Sequence, residues 1–317
     1  MATHTPHTPH TLDVPGARLH YEVRANVSSD EPTLLLIGTP QGAAEFSPLA
    51  RRFADRTVVT YDPRGTRRSV RTDGAVESTP VQHADDLDRL ISALGDGPVD
   101  VFGTGGGAVN GLALVSRRPA GVRTLVAHEP PAARLLPDHA VVLAACRNIN
   151  RTYRQAGRNA ATAQFLELVG QNGPLPADYP DRPAPDPADY GLKPDDDGSR
   201  DHALFAQNLL SIVSYVYDFE ALRTASTRIV PAVGAGSGGQ FASRATLALA
   251  DRLGSAAITL PSDHRGFLDV DDTSLTLADF GTKLREVLTD RTSPGTRPNV
   301  STQEARAASL TPSSHPE

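Results

Sequence analysis

With 317 residues and 39% hydrophobic side chains, the chain can bury a substantial core, as one large α/β domain or a core with an inserted cap. Its formal net charge of -6, without any Lys/Arg-rich tract, argues against a nucleic-acid footprint. A single cysteine, Cys146, excludes an intrachain disulfide and fits a reducing cytoplasm, and no apolar stretch is long enough to span a membrane.

Met1 to Thr11 is rich in Thr, His and Pro and lacks an apolar signal core, so residues 1–11 read as a disordered tail. Ala17 to Val23 alternates apolar and polar residues like an edge strand, and Thr33 to Ile37 is a short apolar run of the buried kind found in parallel sheets. A helix over Ala43 to Phe53 and a strand over Thr57 to Tyr61 follow. The next helix is marked at both ends. Thr79, Pro80 and Gln82 form a capping box, Ala84, Leu87, Leu90, Ile91 and Leu94 share one apolar face, and Gly95 stops it.

A strand from Val99 to Phe102 then breaks into Gly103-Thr104-Gly105-Gly106-Gly107, which opens a helix running through Ser116, and a strand follows at Val122 to Ala127. This βαβ rhythm predicts a mostly parallel sheet wrapped by helices. Between Pro130 and about Ala225 the rhythm stops. Helical segments at Ala140 to Tyr153, Ala160 to Val169 and Ala203 to Tyr217 flank a Pro/Asp-rich loop from Pro174 to Asp197, which reads as a helical cap over 131–225. Strands at Thr227 to Gly234 and Ala256 to Leu260 resume the core, with a helix from Phe241 to Leu253 between them and a last one from about Ser274 to Leu288. The core is therefore expected over 12–130 and 226–290, and the Ser/Thr/Pro-rich stretch 291–317 reads as a second disordered tail.

Four motifs in this order resemble the α/β-hydrolase fold family over roughly residues 12 to 290. Ile37-Gly38-Thr39-Pro40 resembles the family's His-Gly-x-Pro loop with Ile37 in place of histidine. Asp62-x-Arg64-Gly65 with Ser69 resembles its Asp-x-Arg-Gly-x-Gly-x-Ser loop, Arg67 replacing the second glycine. Gly103 to Gly107 matches the strand-turn-helix nucleophile elbow Gly-x-Ser-x-Gly except at its centre, where Gly105 stands for serine. His264-x-Gly266-Phe267 matches the terminal segment that carries the base.

The resemblance implies acyl transfer or hydrolysis, in which a serine attacks a carbonyl, a histidine takes its proton and a carboxylate orients the histidine. His264 falls on the base position and Glu129, at the end of its strand, on one of two family positions for the acid; the other, around Gly234 to Gly238, holds no carboxylate. The backbone N–H groups of Thr39 and Gly106 fall on the oxyanion donors. Asp62 and Arg64 are expected to fix their loop, and Ser237 to shape a turn, although it could approach His264. The nucleophile position itself is vacant.

Three functions follow as expectations: an esterase-like protein doing non-covalent, His264-based chemistry on a small acyl or carbonyl compound; a catalytically silent protein that binds a small molecule; or a dinucleotide-dependent enzyme. The last rests on Val99-x-Val101-x-Gly103-x-Gly105-x-x-Ala108 with Glu129 at the ribose-binding offset. The late position of this unit and the hydrolase-like loops around it weigh against a nucleotide, so no cofactor or metal is expected, and no nucleic-acid or membrane partner.

Overall fold

The computed structural model describes residues 7–95, 97–193, 195–268 and 274–290. Nine strands form one sheet: β1 (Thr8–Val14), β2 (Ala17–Arg24), β3 (Leu34–Ile37), β4 (Val58–Asp62), β5 (Val70–Arg71), β6 (Val99–Thr104), β7 (Val122–His128), β8 (Arg228–Gly234) and β9 (Ile258–Leu260). Their order is β1-β2-β4-β3-β6-β7-β8-β9, with the short β5 beside β2. β1 and β2 are antiparallel and β2 is antiparallel to β4; from β4 to β9 every pairing is parallel.

Leu34-Leu35-Leu36-Ile37 on β3 are all fully buried because both faces of the sheet are covered. Strand alternation sends Leu34 and Leu36 into one core layer and Leu35 and Ile37 into the other. The first layer contains residues of α1 (Ala43–Ala50) and α8 (Ser274–Thr289), the second those of α2 (Pro80–Leu94), α3 (Gly106–Arg117) and α7 (Phe241–Leu253). The capping box of α2 forms as its sequence predicts: Gln82 N–H donates to Thr79 Oγ1 at 3.2 Å, Thr79 N–H to Gln82 Oε1 at 3.0 Å, and Gly95 closes the helix with φ 76°.

Between β7 and β8 the described residues hold helices, turns and a single isolated bridge, Asn172 to Gln240. The two helical segments expected at 140–153 and 160–169 make up α4 (His139–Gly170) and are divided at Gly157, inside the expected gap, where φ is 83° and the backbone is not helical. A side chain there would run into the Asp196 carboxylate, 2.1 Å from a methyl group built on Gly157. The third segment is shorter than its apolar pattern. A π-turn at Ala203–Asn208 leads into α5 (Leu209–Val213), and a separate α6 (Phe219–Thr224) begins at Asp218, whose carboxylate accepts the Ala221 N–H.

This insertion is fastened to the core beside α2. His83 Nε2 meets Asn208 Oδ1 at 2.8 Å, Ser78 N–H donates to Gln207 O at 2.9 Å, Ser211 Oγ donates to Ser78 O at 2.6 Å, and Gln207 Nε2 donates to Gly65 O at 3.1 Å. His83 is fully buried, and burial lowers its pKa to about 4, so it bridges the two parts as a neutral ring.

One expectation is corrected at the N-terminus. Thr8 to Thr11, placed in a disordered tail, belong to β1, and β1 rather than β2 is the edge of the sheet. Antiparallel pairing to β2 along its whole length holds β1 in the sheet, although its first residues are exposed and its outer row of backbone groups faces away from the sheet. The expected C-terminal tail, 291–317, lies outside the described residues, as does the first part of the N-terminal one.

Candidate functional site

The strand order reverses beside β3, since the chain moves from β3 to β4 on one side and returns to β6 on the other. In an open α/β sheet such a switch leaves a crevice at the carboxyl ends of the strands. The loop after β3 carries Gly38 and Thr39, and β6 ends at Thr104 with Gly105 next.

Gly105 sits between β6 and α3 with φ 54° and ψ -123°. Its N–H donates to His128 O at 2.9 Å, and its carbonyl accepts from Ala108 at 3.1 Å, so the turn is tight. A non-glycine residue held at positive φ costs on the order of 1–3 kcal/mol. Glycine adopts it freely.

The turn is pressed against the loop after β3. A methyl group built on Gly107 would lie 2.4 Å from Ile37 O and 2.7 Å from Gly38 Cα, and one on Gly106 would lie 2.7 Å from Thr39 O. Only glycines allow the two backbones so close. Gly107→Ala is therefore expected to destabilise the fold by about 3 kcal/mol, because the obstructing atoms are backbone and cannot rotate away. Urea unfolding would measure this; an unchanged midpoint would mean that the two loops are not locked together.

His264 lies opposite the turn. A methyl group built on Gly105 would be 3.4 Å from His264 Nε2. On the far side of the ring, Nδ1 is 2.8 Å from Glu129 Oε2, and the other carboxylate oxygen accepts the Gly234 N–H at 2.8 Å. Glu129 follows β7 in a positive-φ conformation (47°) and is buried. Burial pushes its carboxyl pKa up, but the hydrogen bond to His264, the neighbouring His128 and His264 rings and the Gly234 N–H outweigh it and hold the group at about 2. Glu129 is thus an anion with both oxygens engaged, one of them orienting His264.

His128 supports the same ring from behind. The two imidazoles stack at 5.7 Å with 16° between their planes, and His128 Nδ1 pairs with Thr104 Oγ1 at 3.0 Å. Burial, reinforced by the nearby His264, lowers the His128 pKa to about 3 and keeps it neutral. Phe267 packs on Phe46 and Phe102 beneath the crevice. From the insertion, Ile212 reaches Gly106: its Cδ1 lies 2.6 Å from a methyl group built there.

The structure thus brings Gly105, Gly106, Thr39, His264 and Glu129 together. Ser237 Oγ lies beside Gly234 but makes no hydrogen bond to His264 or Glu129; it is buried with no hydrogen-bond partner among the described residues. Asp62 and Arg64 do not pair with each other. Asp62 accepts the Ala43 N–H and the Arg68 Nε–H, both at 2.8 Å, while Arg64 makes a two-pronged contact with Asp86 at 2.7 and 2.6 Å. Arg67, which stands where the family motif has glycine, adopts φ 51° and pairs with Glu45. The dinucleotide reading needs Glu129 free to meet a ribose; here it is buried against His264 and Gly234.

No family model matches the chain. It is 32% identical over 265 residues to a Bacillus subtilis protein described as an uncharacterized hydrolase, YraK, covering 81% of this chain and 89% of the relative. The fold is shared with the enol-lactonase of Burkholderia xenovorans LB400 (TM-score 0.61, 18% identity, 89% of this chain and 100% of that one). It is shared too with the carboxylesterase CesB of Bacillus subtilis (TM-score 0.59, 14% identity, 87% and 91%). The chain belongs to the α/β-hydrolase family. No helix among the described residues is long and apolar enough to cross a membrane, and among them no group of three His, Cys, Asp or Glu side chains could hold a metal ion.

Proposed function

We propose that the protein hydrolyses small acyl or carbonyl compounds with a water molecule in the role of the missing serine hydroxyl, beneath a cap formed by the insertion between β7 and β8. The observation that carries this reading is the polarised His264, held by Glu129 at Nδ1 while Nε2 faces Gly105 across the space that a serine side chain would fill.

Water in that space donates its proton to His264 Nε2 as its oxygen bonds to the carbonyl carbon, and Glu129 stabilises the imidazolium that forms. The carbonyl oxygen becomes an oxyanion held by the N–H groups of Thr39 and Gly106. The Gly106 N–H, in the first turn of α3, has no partner within the helix. Collapse breaks the bond to the leaving group, which takes the proton back from His264, and releases the carboxylic acid. Without a covalent intermediate the best substrates are those that water itself attacks readily, such as lactones and activated esters. The names of the fold relatives, an enol-lactonase and a carboxylesterase, fit that class.

The test is turnover of p-nitrophenyl acetate and a panel of lactones by the unaltered chain, with intact-protein mass spectrometry during turnover. The expected result is hydrolysis without an acyl adduct, abolished by His264→Ala. An adduct on any residue, or full activity in His264→Ala, overturns the mechanism. A second reading is favoured by the relaxed conformation that glycine gives position 105: a chain that only binds its ligand gains stability from this substitution. Saturable ligand binding with no turnover of any panel member would select it.

A further inference from the structure

One side chain of α3 has no part in the chemistry above, yet touches it. Asn110 is fully buried in a helix whose neighbouring residues Val109, Leu112 and Ala113 are apolar. A buried amide is costly unless it is hydrogen-bonded, and an aliphatic side chain would otherwise serve better here. Its Nδ2 donates to Thr39 Oγ1 at 2.8 Å, and the Thr39 hydroxyl in turn donates to Gly38 O. Its Oδ1 has no hydrogen-bond partner among the described residues. The amide's contact with Thr39 is thus the polar interaction it makes within this part of the fold.

Asn110 is one helical turn beyond Gly106, on the same face of α3. That face meets Thr39 twice. The Gly106 backbone packs against Thr39 O and Cβ, and the Asn110 amide takes hold of the Thr39 hydroxyl. The helix that supplies one N–H donor therefore also grips the residue that supplies the other.

We propose that Asn110 is a positioning residue, which sets the spacing and direction of the Thr39 N–H relative to the Gly106 N–H so that both point at one oxygen. This rests on the reading of those two groups as oxyanion donors, but not on water as the nucleophile. Oxyanion stabilisation depends on donors being placed before the charge develops, and the loss of one donor lowers turnover by about 10²–10³. A donor left in place but poorly aimed should lose less, about tenfold.

The experiment uses the full chain carrying Gly105→Ser, where acylation by p-nitrophenyl acetate reports on the oxyanion site directly. Adding Asn110→Leu is expected to lower kcat about tenfold while KM stays within about twofold, because the donors act on the transition state. Asn110→Ala removes the amide without adding bulk and gives the same result if the leucine variant does not fold. Thr39→Val removes the other end of the hydrogen bond, so combining it with either Asn110 variant should cost no more than the larger single loss. Losses that multiply, or a lower Tm with kcat unchanged, would show that Asn110 only stabilises the helix and overturn the proposal. A Gly105→Ser chain that never acylates overturns it too, since aligned donors beside the His264–Glu129 pair would support acylation. Absence of turnover in the unaltered chain would sink the water mechanism alone.

Discussion

A Gly105→Ser variant is expected to form an acyl-enzyme and to react with a fluorophosphonate, while the unaltered chain does neither. A serine Cβ at this position falls 3.4 Å from His264 Nε2, so a rotation about χ1 brings Oγ within hydrogen-bonding reach of the base. The base is already oriented by Glu129, and the glycines that bring Thr39 and Gly106 together are untouched. Hydrolysis of p-nitrophenyl acetate should rise about a hundredfold or more above the unaltered chain, since a nucleophile acting with its base contributes far more than that in complete triads. Stability should move the other way. Serine at φ 54° costs on the order of 1–3 kcal/mol, lowering Tm by several degrees. Failure of the variant to label, with its fold intact by circular dichroism, would mean that the His264 base and the N–H donors of Thr39 and Gly106 are not assembled around position 105.

The second large effect is expected from Glu129→Gln. The Gly234 N–H demands an oxygen at the Oε1 position, so the glutamine amide nitrogen must face His264 Nδ1. That nitrogen can only donate, which leaves Nδ1 as acceptor and places the ring proton on Nε2, where the base must be free. In the Gly105→Ser background kcat should therefore fall about 10⁴-fold, the scale of a triad forced into the wrong tautomer. A loss of less than tenfold would assign the orienting role elsewhere.

The same substitution changes the response to acid. Glu129 titrates at about 2 in the folded chain against 4.5 when unfolded, so its contribution is complete above pH 4.5 and disappears as the pH falls through about 2. The depressed carboxyl pKa makes Glu129 stabilising above that window, and Glu129→Gln should flatten this part of the stability profile. Chemical denaturation between pH 5 and 2 reads it out.

Much of this site was legible in the sequence because backbone motifs specify it. Glycine at 106 and 107 is required where the turn touches the loop after β3, Gly103 where the turn packs on itself, and both ends of α2 are written in its caps. Glu129 could be selected over the loop after β8 because Gly234 to Gly238 contains no carboxylate, and His264 binds it. What escaped has no periodic signal. β1 begins in exposed Thr, Pro and His residues without alternation, β5 is two residues long, and the π-turn at Ala203–Asn208 has the composition of an ordinary helix. Asn110 could have been found from its spacing, four residues beyond Gly106 on an otherwise apolar helix face. The grip of Ile212 on Gly106 depends on tertiary contact across about a hundred residues and leaves no local trace.

The Glu129 carboxylate also has an architectural consequence. The insertion departs directly after Glu129 and returns through β8, and the bond from Gly234 N–H to Glu129 Oε1 closes its base, as does the one from Glu129 N–H to Ala232 O. The stretch from Pro130 to Thr227 thereby leaves and rejoins the sheet at one point, while its helices share a single apolar core with α2 and α3. Exchanging it for a helical segment from another member of the family would replace the walls above the crevice while Gly105, His264, Glu129 and the N–H groups of Thr39 and Gly106 stayed on the frame. Under the proposed function, such an exchange is expected to change which substrates the chain takes while the reacting groups stay in place.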